Sequence, residues 1–279
     1  MVKKKEKKRS KKEMSFLDHL EDLRWHLIRS TLAVVIVATV AFVFSRVLFN
    51  NIIFAPLSMD FPTYTFLCKC ANFINIETSF CGETLPMIIQ NRTMAGQFSA
   101  DIWTSITAGF IISFPYIIYQ FWKFISPGLK TNERKTSRGF IIIASLLFFI
   151  GVLFGYYIVL PLSINFLANY NISDVVDNQI DISSFIALVR SSALASGLIF
   201  ELPIIIYFLT KIGVVTPEFL RKYRKYSMVI VLILSAIITP PDIASQIIVA
   251  VPIIILYEIS IFISKTVIKK QKKREKKHA

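Results

Sequence analysis

The sequence predicts an all-α membrane protein with six transmembrane helices, the last two short, in a concave (cupped) body with both termini in the cytoplasm. Three observations support this class. The 279 residues are 54% apolar and have a mean hydropathy of +0.58, which is too apolar for a soluble domain of this length. Most of the apolar residues come in runs close to the roughly 20 residues that a spanning helix needs. Most of the basic residues lie in blocks between or beyond these runs.

The apolar runs place the six spans in chain order. They are expected at 27–48, 102–121, 140–160, 185–209, 227–238 and 243–263. The fifth run covers only about 18 Å at about 1.5 Å per residue, so it must thin the bilayer locally or lean on its neighbours. Pro115 and Pro203 lie inside spans and are expected to kink their helices. Kinked and short helices together suggest the concave body.

The basic residues predict the topology. Lysine and arginine stay preferentially in the cytoplasm when they lie in short loops. Of the 32 basic residues, 28 fall in four blocks, at 1–29, 122–138, 211–226 and 265–279. The opposite loops, at about 49–98 and 168–184, carry mainly acidic residues instead. Both termini are therefore expected in the cytoplasm, and the net charge of +14 is interpreted as this asymmetry and contact with membrane lipid, not as nucleic-acid binding.

One membrane domain, at 14–265, is expected between two basic cytoplasmic tails, at 1–13 and 266–279. The composition of residues 1–13 and 269–279 favours disorder. The lysine-rich start and the first apolar run are interpreted as an uncleaved first span, because the run is too long for a signal peptide and no small-residue cleavage pattern follows it. The 49–98 loop holds several Pro-containing turns and is expected to be a folded cap.

All three cysteines, Cys68, Cys70 and Cys81, lie in that loop. In the predicted topology it faces the oxidising side of a bacterial inner membrane. This favours a disulfide between Cys81 and either Cys68 or Cys70, with one thiol left over. A metal site would need a fourth ligand, and the loop has no histidine. No metal is therefore expected.

An acidic patch precedes the first span, within the most basic part of the chain. Positions 18, 21, 22 and 25 share one face of a helix, and they are Asp18, Glu21, Asp22 and Trp25. The carboxylates are either held ready for an incoming cation or neutralised by Arg24, Arg29 and the lysine-rich tail. A third alternative is that they cap the first helix. Glu133, in the loop before the third span, taken alone is interpreted as an acid at a helix N-terminus.

Polar residues inside the spans are the second candidate feature. Glu201 lies near mid-depth, where an ionised carboxylate is costly and usually functional. Arg190 lies eleven residues away, about 16 Å along the axis, which is too far for a salt bridge. Glu201 is therefore expected to face a polar cavity, to be protonated, or to meet a polar group of a partner. Glu258 poses the same question less sharply, and Gln246 is expected to hydrogen-bond across helices.

Catalytic motifs are absent from the sequence, with no His-Glu-x-x-His, no Gly-x-Ser-x-Gly and no P-loop. No convincing nucleophile and base, and no carboxylate pair in adjacent spans, can be assigned. The chain is therefore not expected to be an enzyme or to need a cofactor. One function class that stays open is a proton-coupled secondary transporter that uses Glu201, although it leaves the cytoplasmic acids without a role.

Taken in order, the motifs resemble those of the TatC family, the core subunit of the twin-arginine protein translocase. The resemblance extends from about residue 14 to 265. The matching segments are His19-Leu20-Glu21-Asp22-Leu23-Arg24, Ala55-Pro56-Leu57, the stretch from Tyr119 to Leu129 that continues into Asn132-Glu133-Arg134, Phe200-Glu201-Leu202-Pro203, Thr239-Pro240-Pro241-Asp242, Ser245-Gln246 and Tyr257-Glu258. The family also has six spans with two short final helices.

The resemblance implies a receptor for signal peptides with consecutive arginines on folded cargo. Cargo crosses the membrane on the protonmotive force, with single-span subunits of the TatA and TatB type and an oligomeric assembly. The implied peptide-binding residues are Glu21, Asp22, Arg24, Phe124, Leu129 and Glu133. The family commonly has Glu at position 22, and the spacing to Leu23-Arg24 favours Asp22 over Glu21. Partner contact is implied for Glu201, Gln246 and Glu258, and structural roles for Pro56, Pro127, Pro203 and Asp242.

Overall fold

Most of the described chain is helical. The computed structural model describes residues 16–75, 79–82, 84–125, 137–173, 178–239 and 243–278. The α-helices are α1 Phe16–Val43, α2 Ser45–Leu48, α3 Pro62–Ile74, α4 Gly96–Ile125, α5 Ser137–Phe154, α6 Leu160–Asn169, α7 Ile182–Phe200, α8 Leu202–Lys211, α9 Pro217–Lys222, α10 Arg224–Ile238 and α11 Ile243–His278. The strands are β1 Ile88–Gln90 and β2 Gln179–Asp181.

Five helical segments in the described residues are long and apolar enough to cross a membrane. They are Leu20–Val43, Gly96–Ile125, Gly139–Asn169, Ile182–Lys211 and Ser245–Gln271. A π-helical turn at Gly155–Val159 joins α5 to α6 within the third segment, and Glu201 separates α7 from α8 within the fourth. The predicted fifth run, 227–238, forms α10, whose 15 residues extend only about 22 Å. Five of the six predicted spans are thus present as long apolar helices.

The prediction that the last helix is short and that residues 269–279 are disordered is wrong for the described residues. Helix α11 has 36 residues and continues through the basic tail to His278. Lysine, arginine, glutamine and glutamate are good helix formers, and extending an existing helix avoids the cost of a new nucleus. The Gln271 amide also donates a hydrogen bond of 3.1 Å to the Lys211 carbonyl at the end of α8.

The all-α prediction misses a small parallel sheet. Strands β1 and β2 pair with Ile88 opposite Gln179 and Gln90 opposite Asp181. Each strand has three residues, too few to give a periodic pattern in the sequence, and the partners come from different loops. The backbone amide of Arg92 donates to Asp181 at 3.2 Å, and its guanidinium donates to the Gln179 carbonyl at 3.2 Å.

The described residues of 49–95, together with β2, form a folded unit that we call the cap. It begins with a π-helical turn, Phe49–Ile53, and a 3-10 turn, Ala55–Leu57. The Tyr64 ring is fully buried, with its hydroxyl 3.2 Å from the Pro56 carbonyl and 3.1 Å from the Pro161 carbonyl. Burial raises the pKa of Tyr64 above its ordinary value. Cys68 and Cys81 form a disulfide with a Cα–Cα distance of 5.1 Å, and Cys70 is exposed.

Candidate functional site

Helices α1 and α4 pack closely along their length. A Cβ atom at Gly109 would lie 2.8 Å from the Ala38 Cβ and 2.8 Å from the Val34 carbonyl oxygen, so only glycine allows this approach. Four residues further along α4, the Ser113 hydroxyl donates to the Ala33 carbonyl at 3.3 Å. Along the contact, the residue numbers decrease on α1 as they increase on α4. The two helices are therefore antiparallel in a fixed register.

The same register continues to the end of the pair away from the cap. His26 Nδ1 lies 2.7 Å from Gln120 Oε1, and the Gln120 amide nitrogen donates to the Tyr116 hydroxyl at 2.6 Å. The His26 ring meets the Phe124 ring edge-on, with centroids 6.3 Å apart. These contacts fix the start of the first span against the last turn of α4. We call residues 20–26 of α1 and 120–125 of α4 the acidic end.

The candidate acids Glu21 and Asp22 lie on α1 about one helical turn before His26. Asp22 precedes His26 by four residues and therefore lies on the same side of α1, the side that packs against α4. Extending the register from His26 and Gln120 by one turn places Asp22 at the level of Phe124. Glu21 instead precedes Trp25 by four residues, and Trp25 is exposed. The two neighbouring acids are about 100° apart around the helix axis, and Asp22 is the one on the side of His26.

Both acids are open to solvent. Glu21 and Asp22 are exposed, as are Arg24 and Arg29. Among the described residues, no ion pair joins either carboxylate to Arg24 or to Arg29. Local neutralisation by these arginines is therefore not seen in this part of the chain. Phe124 is half-buried at the end of α4, where it contacts His26.

Several predicted residues lie outside the described part of the chain. They are Pro127, Leu129, Glu133 and Asp242, together with the side chain of Asp18. Helix α4 ends at Ile125, and Glu133 follows Phe124 by nine positions along the sequence. Of the predicted carboxylate pair, the structure therefore describes Asp22, and Glu133 lies outside the described residues.

Glu201 lies where the fourth span is interrupted. It separates α7 from α8, and Pro203 occupies the first turn of α8. A proline has no backbone N–H to continue the α7 hydrogen-bond ladder, which explains the break. The Glu201 side chain is 6% exposed, and its Oε1 atom has no hydrogen-bond partner among the described residues. As predicted, Arg190 is not its partner, because the guanidinium carbon lies 4.8 Å from the Trp103 ring centroid instead.

Small residues bring the third and fourth spans together beside Glu201. A Cβ at Gly155 would lie 2.3 Å from the Ser192 carbonyl oxygen, and one at Gly151 would lie 2.7 Å from that of Ser196. Extending this antiparallel register places Ser145 at the level of Glu201. The Ser145 hydroxyl is also buried without a partner in the described residues. Buried polar atoms almost always have a hydrogen-bond partner, which can be a water molecule or another ligand.

The other two intramembrane candidates have partners within the chain. The Gln246 amide nitrogen donates to the Leu232 carbonyl at 3.0 Å and so joins α11 to α10. Glu258 Oε1 lies 2.6 Å from Arg224 Nε at the start of α10, and both side chains are partly exposed. Glu258 is therefore an acid with an ion-pair partner, unlike Glu201.

The sequence interpretation missed two residues of the acidic end, His26 and Gln120. The signal for His26 was present, because it follows Asp22 by one helical turn and is one of three histidines in the chain. Gln120 gave no comparable signal, since a glutamine inside an apolar run is commonly a structural residue. Its role depends on the register of α1 against α4, which only the structure gives.

Comparisons with known proteins agree with the motifs. The family model described as Sec-independent protein translocase protein (TatC) matches residues 18–252. A TatC protein of Blattabacterium sp. subsp. Periplaneta americana is 46% identical over 265 residues, covering 95% of this chain and 100% of the relative. The TatC protein of Aquifex aeolicus is 35% identical and covers 94% of this chain and 100% of the relative.

A solved structure supports the same assignment. A crystal structure of a twin arginine translocase receptor, TatC, superposes with a TM-score of 0.65 at 34% sequence identity, covering 89% of this chain and 99% of that chain. The family model matches well over half of the sequence, and the relatives match over nearly their whole lengths. The chain therefore belongs to the TatC family of Sec-independent protein translocase proteins.

Proposed function

We propose that this chain binds signal peptides with paired arginines at its acidic end, as the core subunit of a twin-arginine translocase. In this proposal both termini and the acidic end lie in the cytoplasm of a bacterium, and α10 is a sixth, short span. Folded cargo then crosses the inner membrane on the protonmotive force with single-span subunits of the TatA and TatB type. The observation that carries the proposal is the register of α1 against α4, given by the contacts of His26 with Gln120 and Phe124. From this register we infer that Asp22 lies at the level of Phe124.

The chemistry of this position suits a guanidinium ligand. An arginine forms its strongest hydrogen bonds with a carboxylate that can accept two N–H donors at once. The Asp22 carboxylate is exposed and has no ion-pair partner among the described residues. By the register of α1 against α4, Phe124 lies at the same level, where its ring meets the His26 ring edge-on. We propose Glu133 as the second carboxylate, so that each arginine of the pair meets one acid.

The geometry distinguishes the two neighbouring acids. Asp22 shares its side of α1 with His26, which contacts both Gln120 and Phe124. Glu21 shares its side with exposed Trp25. We therefore assign arginine recognition to Asp22 and use Glu21 as its matched control. Arg24, which is exposed, is proposed to lie around these carboxylates.

The test is the affinity of a twin-arginine peptide for the purified protein in detergent, with a twin-lysine peptide beside it. We expect Asp22→Asn and Glu133→Gln each to weaken binding by about ten- to a hundredfold, because a lost charge-assisted hydrogen bond costs about 1.5–3 kcal/mol. Glu21→Gln should change affinity by less than about threefold, in the range of an exposed charge. Equal losses in all three variants, or equal binding of the lysine peptide, would contradict the proposal.

Glu201 is proposed to contact a single-span subunit within the membrane. Its buried Oε1 and the Ser145 hydroxyl lack partners among the described residues, so a polar group of another chain could bind there. Crosslinking of this chain to the single-span subunit should weaken more in Glu201→Ala than in Glu201→Gln, because glutamine keeps a hydrogen-bonding group. The rival function, a proton-coupled transporter, instead requires that Glu201→Gln abolish activity while Asp22→Asn leaves it unchanged.

A further inference from the structure

Arg190 is a basic residue inside a span that the proposed function leaves unused. Its guanidinium lies against the exposed Trp103 ring of α4, with the carbon 4.8 Å from the ring centroid. Among the described residues, no carboxylate forms an ion pair with it and no carbonyl accepts a hydrogen bond from its side chain. A charged group at membrane depth is costly unless it is paired or reaches the interface. Within the described part of the chain, the Arg190 N–H groups therefore lack an acceptor, and a bound anion would compensate its charge.

A crevice begins beside this arginine. It has a volume of about 390 Å³, within the roughly 300–1,000 Å³ typical of ligand sites. Its floor is buried and mainly apolar, and includes Ile53, Ile186 and Val189. Its rim residues are exposed, among them Ile112 and Leu153. In a bilayer the crevice therefore opens sideways towards the lipid chains.

One polar atom in the crevice has no partner. Thr104 lines the crevice and is 5% exposed, and its hydroxyl forms no hydrogen bond among the described residues. The next threonine on α4 behaves differently, because the Thr107 hydroxyl donates to the Trp103 carbonyl at 2.8 Å. The wall of the crevice thus contains a buried hydroxyl that lacks a hydrogen-bond partner among the described residues.

The depth of the Arg190–Trp103 pair is that of the lipid headgroup boundary. Trp103 lies seven residues after the start of α4 and Arg190 eight residues after the start of α7, or about 10 and 12 Å along the helices. Both helices begin on the cap side. Their 30-residue spans extend about 45 Å, the thickness of a bilayer with its headgroups. Tryptophan is enriched at this level.

The geometry points to a binding site for one phospholipid of the leaflet on the cap side. Its phosphate lies against Arg190, its ester oxygens come within reach of the Thr104 hydroxyl, and an acyl chain fills the apolar crevice between α4 and α7. A guanidinium matches a phosphodiester in charge and hydrogen-bond geometry. A partner helix, about 10 Å across, is too wide to enter a crevice of this volume.

The test is native mass spectrometry of the detergent-solubilised protein titrated with phosphatidylglycerol. We expect one lipid to stay bound to the unaltered chain after bulk lipid is removed. Arg190→Gln should weaken this binding by about tenfold, the effect of losing one charge-assisted hydrogen bond. Arg46→Gln is the matched control, because Arg46 is exposed near the same end of the first span and does not line the crevice. It should retain the lipid.

A second pair of variants leaves the arginine in place. Ala108→Phe fills the crevice and should also lose the lipid, whereas Ile106→Phe, on the exposed side of α4 outside the crevice, should not. Thermal unfolding of each variant identifies any that has lost its fold. If Arg190→Gln has lost its fold, lipid retention by Ala108→Phe is the deciding measurement. Unchanged lipid retention in folded Arg190→Gln or Ala108→Phe overturns the site. So does crosslinking of the rim position Ile112 to a single-span subunit with the lipid still bound.

Discussion

The cap and the acidic end differ in whether their polar side chains have hydrogen-bond or ion-pair partners within the described residues. In the cap, the Tyr64 hydroxyl, the Asp181 carboxylate and the Arg92 guanidinium all have hydrogen-bond partners, and a disulfide joins Cys68 to Cys81. At the acidic end, Glu21 and Asp22 are exposed and form no ion pair within the described residues. Partnered groups contribute to stability, whereas unpartnered groups are available to a ligand. We therefore expect substitutions in the cap to destabilise the fold, and those at the acidic end to affect binding.

The largest expected loss of stability comes from Tyr64→Ala. The Tyr64 ring is fully buried, and truncating a buried aromatic side chain typically costs about 3–5 kcal/mol. Tyr64→Phe removes only the hydroxyl between the Pro56 and Pro161 carbonyls and should cost about 1 kcal/mol. Denaturant titration in mixed micelles measures both. A loss for Tyr64→Ala no greater than that for Asp22→Asn would erase the difference between the two regions.

The next largest effect should follow reduction of the disulfide. Cys68 and Cys81 are 13 residues apart, and closing a loop of about this length contributes about 3 kcal/mol at most. Cys68→Ser should lower the free energy of unfolding by a comparable amount. Cys70→Ser is the control and should not, because Cys70 is exposed and unbridged. Peptide mapping without reductant provides an independent check, and finding Cys81 entirely free would contradict the pairing.

A smaller effect, dependent on pH, is expected for Asp181 in the cap. Hydrogen bonds from the backbone amides of Ser183 and Arg92 hold the pKa of this carboxyl below its ordinary value. Its contribution to stability is therefore present above the unfolded-state pKa, about 3.9, and is lost as the pH falls through the lower folded-state value. Asp181→Asn should be less stable than the unaltered chain near neutral pH, with the difference shrinking in acid. A constant difference across pH would contradict this assignment.

The smallest expected effect on stability is that of Glu201→Leu. Burying a polar atom without a partner is unfavourable, so an apolar side chain of similar volume should leave the unfolding midpoint unchanged or raise it. Crosslinking to single-span subunits should nevertheless fall. Glu258→Leu serves as the comparison, because it removes a partly exposed ion pair with Arg224 worth about 0–1 kcal/mol. A large loss of stability in Glu201→Leu would show that Glu201 has a structural partner.

The sequence predicted the parts of the fold that depend on local composition. Five apolar runs form long helices. In a membrane, a run of about 20 apolar residues must satisfy its backbone hydrogen bonds internally, and a helix does so. The extension of α11 through the basic tail was missed, since a run of lysines reads as a disordered tail when the preceding helix is not considered. Strands β1 and β2 were missed because they form only when two distant loops meet.

The candidate site was predictable in its residues but not in its geometry. The helical repeat grouped Glu21 with Asp22, yet the contacts of His26 with Gln120 and Phe124 place Asp22 alone on the side of α1 that faces α4. Likewise, Glu201 and Glu258 posed the same question in the sequence. Only the position of Arg224 at the start of α10 gives Glu258 a partner. Register between helices is a property of the packed structure, and one sequence does not contain it explicitly.

The long-range contacts of the cap have a consequence for the order of events during synthesis. Tyr64 meets Pro161 across 97 residues and Arg92 meets Asp181 across 89, whereas Cys68 and Cys81 are only 13 apart. At about 5–20 residues per second, the partners of the cap emerge roughly 5 to 20 s after the cap itself. The disulfide can form during that interval, before β1 has anything to pair with. In the proposed topology, a disulfide formed in that interval would crosslink the cap before Pro161 and β2 are available for its long-range contacts.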